Sequence, residues 1–427
     1  MKIAILGVGT VGKGVLDVLA LNQKIIAARA GEQITPVIGL VRDINKARDA
    51  LKDCAFKDFK LSTDVNEILA RDDIDVYVEL MGGVDFAREI ISELLRRKKP
   101  VVTANKALLA YHRSELEELA GETPFGFEAS VAGGIPIIKA LREGLAANHI
   151  GQITAILNGT SNYILTNMMR DGLAFDAVLK SAQELGYAEA DPSFDIGGFD
   201  AAHKLLILAS IAYKLNAKPD DILIEGITSI SSDDIYFARE FGYAIKLLAI
   251  AKKNGSNLEL RVHPALLEHD KMIAKVDGVM NAVSVYGDCV GESMYYGAGA
   301  GARPTASAVI SDLIDIARKI KSPMLGYKDA SLQSGLSLVK TDDLMSKFYL
   351  RLRVHDDLGV IGKITNIMSQ NDLSIDSFLQ KPNSSRADTT IYFTTHTCKQ
   401  ANVLKSLDLI ARESFVVQKP FMIRIEK

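Results

Sequence analysis

Lys2-Ile3-Ala4-Ile5-Leu6-Gly7-Val8-Gly9-Thr10-Val11-Gly12 opens the chain and decides its fold. A short run of buried-strand character enters a glycine turn, and Val11, Val15, Leu16, Val18 and Leu19 then recur at helical spacing. Strand, glycine turn and helix in that order are the context a dinucleotide fingerprint requires. Gly7 permits the turn, Gly9 lets the backbone approach a pyrophosphate, and Gly12 lets the helix close on the strand. Thr10 and Val11 then begin a helix whose free N–H groups and dipole favour anions. A tight turn in another α/β protein looks the same locally, so the rest of the chain has to decide.

Outward from this start, strand-like runs follow at Thr35–Val41, Asp75–Leu80, Val101–Thr103 and Phe125–Ala129, with helix-like Ala87–Lys99 and His112–Ala120 between them. Such alternation predicts βαβ units and a mostly parallel sheet, a Rossmann-type dinucleotide-binding domain over 1–130. The rhythm is lost from Val131 onward. Phe199–Leu215 and Asp234–Lys253 read as helices, and Gln152–Leu157, Leu258–Val262 and Ala282–Tyr286 as strands, which predicts an α+β domain over 131–295. Gly297–Gly301 and the helical stretch Ala306–Ile320 are expected to return the chain to its first domain over about 296–328. A polar stretch, 329–345, reads as a linker. In 346–427 the order βαββαβ is the ferredoxin-like arrangement. At about 150 residues per domain, a chain of 427 residues fits three domains.

Fifty Lys plus Arg against 53 Asp plus Glu leave a net charge of −3, which argues against a nucleic-acid or anionic-membrane footprint. Cys54, Cys289 and Cys398 offer neither a disulfide framework nor a zinc pattern, so a reducing, cytoplasmic setting is expected. The apolar opening breaks at Gly7-Val8-Gly9 with no cleavage site after it, unlike a signal peptide. Leu205–Tyr213, the longest apolar stretch, is too short to span a bilayer.

Three groups of polar residues carry chemical information. Asp200 and Lys204, at i and i+4, share a helix face, and Lys204 precedes the apolar run Leu205-Leu206-Ile207-Leu208. An ammonium held near apolar walls is a candidate proton donor to a carbonyl oxygen receiving hydride, although spacing alone equally describes a surface Asp–Lys pair. Glu189, Asp191, Asp195 and Asp200 form an acidic cluster suited to an ammonium-bearing substrate, or to a solvated loop. Val41-Arg42-Asp43 falls where the ribose 2′ position is read: the acid suits NAD, and Arg42 would accommodate the phosphate of NADP. The reading leans to NADP and leaves both open.

Four stretches taken together identify a family. They are Val101-Val102-Thr103-Ala104-Asn105-Lys106, Glu128-Ala129-Ser130-Val131-Ala132-Gly133-Gly134-Ile135-Pro136, Leu157-Asn158-Gly159-Thr160-Ser161-Asn162-Tyr163, and Leu185-Gly186-Tyr187-Ala188-Glu189-Ala190-Asp191-Pro192. In this order, with Asp195, Asp200 and Lys204 after them, the chain from Met1 to about Ile320 resembles homoserine dehydrogenase. The resemblance implies NAD(P)H-dependent reduction of L-aspartate 4-semialdehyde to L-homoserine, in the biosynthesis of threonine, methionine and isoleucine. It implies Lys204 as general acid, Glu189 and Asp200 (with Asp195) as substrate ligands, and Lys106 close to both cofactor and substrate. Thr103 and Gly299 are implied on the cofactor. A sodium ion is implied on the Glu128 side chain and the carbonyls of Val131, Gly133 and Ile135. The family also implies a homodimer or homotetramer assembled through the second domain.

Val354-His355-Asp356-Asp357-Leu358-Gly359-Val360-Ile361-Gly362-Lys363-Ile364 resembles the opening of an ACT regulatory domain, with threonine as the implied effector; a module used only for assembly is the alternative. A phosphoglycerate-type dehydrogenase would carry its fingerprint mid-chain and a catalytic His. Aspartate-semialdehyde dehydrogenase would need a nucleophilic Cys, and a non-catalytic sensor would have lost Lys204 or Glu189. None of these fits as well. His263 and His269 lack a third ligand and are not expected to bind metal.

Overall fold

Up to Gly126 the alternating pattern produces six strands: β1 (Lys2–Leu6), β2 (Thr35–Leu40), β3 (Lys60–Ser62), β4 (Val76–Glu79), β5 (Val101–Thr103) and β6 (Phe125–Gly126). They lie in the order β3-β2-β1-β4-β5-β6, every neighbouring pair parallel. The order reverses between β1 and β4, which opens a crevice at the carboxyl ends of those strands. The computed structural model describes residues 1–329, 335–381 and 387–426. The chain divides into two compact units, one of Met1–Gly159, Phe199–Asp221 and Val279–Gly335, the other of Thr160–Gly198, Ile222–Gly278 and Leu336–Lys427.

In the first unit, Ile3 and Ile5 of β1 and Val76 and Val78 of β4 pack with Val15, Leu16 and Leu19 of the helix Thr10–Leu21. Val309, Ile310 and Leu313 of the helix Ala302–Ala317 complete that core. Each such side chain contributes about 1.5–3 kcal/mol on burial. The two helices touch because Gly14 has no side chain: a Cβ there would lie 2.6 Å from the Ala302 carbonyl oxygen. The unit also holds three antiparallel strands, Ile150–Ile156, Met280–Gly287 and Gly291–Ala298. The helix Phe199–Tyr213 is apolar almost all round, so it is buried on every side, packing on the helix Lys106–Ala120.

The second unit contains a sheet in the order Tyr243–Asn254, Asn257–Glu268, Val416–Glu426, Met345–His355, Asp388–Thr395, Ile375–Lys381. Only Asn257–Glu268 with Val416–Glu426 is parallel among these neighbours. Helices Val360–Gln370 and Gln400–Ala411 cover the C-terminal strands around Phe348, Leu350, Ile364, Met368, Phe393 and Val403.

Two sequence expectations are corrected. Asp234–Lys253 is not one helix: a helix ends at Glu240, Gly242 turns at φ 72°, and Tyr243–Asn254 is a strand. Its two-residue loop, Gly255–Ser256 with Gly255 at φ 60°, closes a long hairpin with Asn257–Glu268. Phe125–Ala129 keeps strand form only to Gly126, because the Glu128 N–H donates to Asp312 Oδ2 (2.9 Å) instead of a ladder. Of the stretch read as a linker, 330–334 lies outside the described residues; within the remainder, Ser337–Leu338 pairs with Asn257–Leu258. Among the described residues no helix is long and apolar enough to cross a membrane.

Candidate active site

The glycine fingerprint turns at Gly7, φ 105°, where a Cβ would lie 2.7 Å from the Leu80 carbonyl. At Gly12 a Cβ would meet the Gly7 carbonyl oxygen at 2.4 Å, so only glycine lets this helix start so close to the strand. Gly9 differs: nothing stands within 4 Å of a Cβ there. Gly9 is also the N-cap of the helix Thr10–Leu21, with no side chain capping it. Open space before an uncapped helix of three turns fits a pyrophosphate. At the end of β2, Arg42 is exposed, whereas Asp43 caps the helix Ile44–Ala50 by accepting from Asn45 N (2.9 Å) and Lys46 N (3.0 Å).

Beyond β4 and β5 lies a closed polar network. Glu79 is buried; its Oε1 accepts from Met81 N (2.8 Å) and Gly82 N (3.3 Å), and its Oε2 from the Thr103 hydroxyl (2.6 Å). Thr103 Oγ1 accepts in turn from Asn105 N (3.0 Å). Asn105 donates to the Gly83 carbonyl (2.7 Å) and caps the helix Lys106–Ala120 through Leu108 N (3.1 Å). Burial pushes the Glu79 carboxyl up, against the pull of these donors. The network fixes the place where Lys106 leaves the strand end. A cation at the first position of a helix is disfavoured by the dipole, and here a carboxylate compensates.

That carboxylate is Asp200, 2% exposed on the helix Phe199–Tyr213. Its Oδ1 is ion-paired with Lys106, and its Oδ2 accepts from Lys204 Nζ (2.8 Å) and from Asn158 Nδ2 (2.9 Å). Lys204, 8% exposed, also donates to the Leu157 carbonyl (2.7 Å). The pair is therefore no surface pair. Burial alone would raise the Asp200 carboxyl, but Lys204 and Lys106 hold it well below the ordinary carboxylate range. Next to them, burial lowers the His203 imidazole and so favours its neutral form, against the pull of Asp200. Two ammonium groups converge on one carboxylate, an arrangement that brings positive charge to an oxygen on which negative charge develops.

Glu128 occupies another part of the same unit, 1% exposed, its Oε1 and Oε2 accepting from Ile138 N and Lys139 N, both at 2.8 Å. Burial and the neighbouring Asp312 push its carboxyl up to about 7, and burial pushes Asp312 up to about 6. Ala132 and Gly133 follow at φ 52° and 47°, and Val131 and Ile135 are buried beside them. A Cβ on Gly133 would lie 2.6 Å from the Gly299 carbonyl oxygen, so Gly299 packs on this turn. Among the described residues no group of three or more His, Cys, Asp and Glu side chains is arranged to hold a metal.

Glu189 and Asp195 belong to the other unit. Glu189 is exposed, and its carbonyl accepts from Gln183 Nε2 (3.2 Å). Asp195, half-buried in the short helix Ser193–Ile196, accepts at its carbonyl from Ser161 Oγ (3.0 Å). Thr160 Oγ1 donates to the Tyr187 carbonyl (2.6 Å). The start of the helix Gly159–Asp171 thus holds this acidic loop at both ends.

Sequence reasoning brought Lys106, Asp200 and Lys204 together and missed Glu79, Asn105, Asn158 and Asp312. The signal for Glu79 was an acid closing an otherwise apolar strand, and for Asp312 an acid inside an apolar helix.

Known proteins match along the whole length. Residues 7–127 match the family model "Homoserine dehydrogenase, NAD binding domain", and 136–314 match "Homoserine dehydrogenase". A homoserine dehydrogenase of Helicobacter pylori is 50% identical over 426 residues, covering 100% of this chain and 99% of its own. The crystal structure of a homoserine dehydrogenase from Thiobacillus denitrificans superposes with a TM-score of 0.91 at 43% identity, covering 100% of this chain and 98% of that one. A hyperthermophilic archaeal homoserine dehydrogenase in complex with NADPH covers 75% of this chain and 99% of its own, with a TM-score of 0.63 at 28% identity.

Proposed function

The chain belongs to the homoserine dehydrogenase family, and from that premise we propose that Lys106, Asp200 and Lys204 are the groups that turn L-aspartate 4-semialdehyde into L-homoserine. As an oxidoreductase with an NAD-binding domain, it uses a nicotinamide cofactor. The observation that carries the assignment of residues is the burial of one carboxylate between two ammonium groups.

Gly7, Gly9, Thr10, Val11 and Gly12 hold the cofactor's pyrophosphate, with Thr103, Lys106 and Gly299 further along it. The bound nicotinamide supplies the hydride. Asp200 Oδ2 and the Leu157 carbonyl orient the Lys204 ammonium, which protonates the aldehyde oxygen as the carbon is reduced. Lys106 adds a second positive charge near that oxygen. Glu189, Asp195 and Asp200 receive the substrate's ammonium. Arg42 takes the 2′-phosphate of NADP; the commitment of Asp43 to its helix cap supports NADP over NAD.

Three further assignments rest on the family. A sodium ion sits on Glu128 and the carbonyls of Val131, Gly133 and Ile135; two buried carboxyls side by side, Glu128 and Asp312, with Lys139 pairing only the second (3.5 Å), support a cation there. Residues 346–427 form an ACT domain that binds threonine, supported by its βαββαβ order and by Gly359 at φ 84° before the helix Val360–Gln370. The domain division is 1–130 with 296–328, then 131–295, a linker at 329–345, and the ACT domain. Exposed Tyr286 and Val290 support a homodimer or homotetramer through the second domain, and three free cysteines suit a cytoplasmic setting.

The test is the initial rate of nicotinamide reduction with L-homoserine at alkaline pH, NAD and NADP in parallel, with sodium exchanged for choline and threonine added in turn. Turnover that requires homoserine and runs faster with NADP is expected. No turnover with either cofactor in a folded protein that binds one of them would overturn the reading. Threonine without effect across cellular concentrations would remove the effector, and equal rates and melting temperatures in choline would remove the sodium.

A further inference from the structure

Arg424, on the last strand Val416–Glu426, is a cation with 1% exposure. Its Nη1 and Nη2 donate to Glu225 Oε2 (2.6 Å) and Oε1 (3.1 Å), and its Nε donates to Gln400 Oε1 (2.8 Å). A bidentate guanidinium–carboxylate pair fixes direction as well as distance. Glu225 is itself anchored, its N–H donating to the Val262 carbonyl (2.8 Å).

The two residues after Glu225 press on the turn that carries Asp195. A Cβ on Gly226 would lie 2.3 Å from the Ile196 carbonyl oxygen and 2.8 Å from Gly197 Cα, so the two backbones are in contact. Ile227 N donates to that same Ile196 carbonyl (2.8 Å). The Glu225 carbonyl oxygen stands 3.2 Å from where a Gly198 Cβ would be, and Gly198 has φ 87°. The acidic loop is therefore braced on one side by Ser161 and Thr160, and on the other by Glu225-Gly226-Ile227. Arg424 holds that second brace in place.

We propose that Arg424, acting through Glu225, is a positioning residue for substrate: the C-terminal strand sets the geometry of the loop 187–198 that receives the substrate's ammonium. This rests on the reading of Glu189 and Asp195 as substrate ligands. Neither Arg424 nor Glu225 needs to touch the substrate. The consequence is specific, since a loosened brace weakens the hold on homoserine and leaves the fingerprint at Gly7–Gly12 as it was.

The experiment uses the full chain with Glu225→Gln, Arg424→Lys and the double variant, beside Glu189→Gln. Glu225→Gln keeps volume at a half-exposed side chain, and Arg424→Lys keeps the charge but loses the fork, so both variants are built to fold. Homoserine KM and kcat are measured, with NADPH Kd from nicotinamide fluorescence and Tm from thermal unfolding. Each single variant is expected to raise the homoserine KM at least fivefold while the NADPH Kd stays within twofold. The double variant is expected to be no worse than the poorer single one, because both act through one contact. An unchanged homoserine KM in the folded variants, with Glu189→Gln still raising it, would overturn the proposal alone. Equal losses of homoserine and NADPH binding would overturn it too, as general loosening. An unchanged KM in Glu189→Gln would overturn the substrate reading beneath it.

Discussion

Asp200 concentrates the energetics of the site at a single residue. With Lys106 and Lys204 on its two oxygens, it pairs with one buried cation and one partly exposed cation. Asp200→Asn removes the carboxylate that the two ammonium groups share and is expected to cost about 3–5 kcal/mol of unfolding free energy, checked by denaturant titration. Its pH dependence follows by sign. The folded-state carboxyl titrates below its ordinary value of 3.8, so its contribution is fully present above that value. It is lost as the pH falls below 3.8 towards the folded-state value, because the unfolded chain then binds the proton first. Acid unfolding of the wild type should steepen in that window, and Asp200→Asn should be flatter there. The sequence disclosed that Asp200 and Lys204 share a helix face. Their burial was not legible, because it depends on Leu157, Asn158 and Lys106, which are distant in the chain.

At the scale of elements, the strand–turn–helix at Gly7–Gly12 separates two kinds of glycine. Gly12→Ala collides with the Gly7 carbonyl and is expected to lower Tm along with NADPH affinity. Gly9→Ala meets open space in the protein alone, so Tm should hold while NADPH Kd rises at least tenfold, by fluorescence titration. Arg42→Ala should raise the KM for NADPH roughly tenfold and leave that for NADH nearly unchanged, the loss of a charged contact to phosphate. The parallel sheet was legible because buried strands and amphipathic helices differ in period. Tyr243–Asn254 was not: buried over most of its length, it has no alternation to reveal a strand. The Asn254-Gly255 turn and Gly242 were the signals that mark its two ends.

Across the whole molecule, each compact unit is assembled from three separate stretches, and the chain passes between units at Gly159, Gly198, Asp221, Gly278 and Gly335. A reading that moves along the sequence finds motifs in order but cannot assign them to units. The C-terminal strands belong to the second unit's sheet, where Ala265–Leu267 pair with Arg424–Glu426 and buried Arg261 meets Glu426. Ending the chain at Gly335 would leave Arg261 without that partner and bare Ala265–Leu267 as an open strand edge. The truncated chain is expected to aggregate or to melt well below the full chain, as followed by light scattering and thermal unfolding.

The central claim is that Lys204 delivers the proton in the chemical step. The most direct measurement is the single-turnover rate of NADPH oxidation by L-aspartate 4-semialdehyde, comparing wild type with Lys204→Ala, both saturated with cofactor and substrate. A fall of about 10²–10⁴ in that rate with an unchanged NADPH Kd is the expected result. A Lys204→Ala protein that turns over at the wild-type rate would contradict the account.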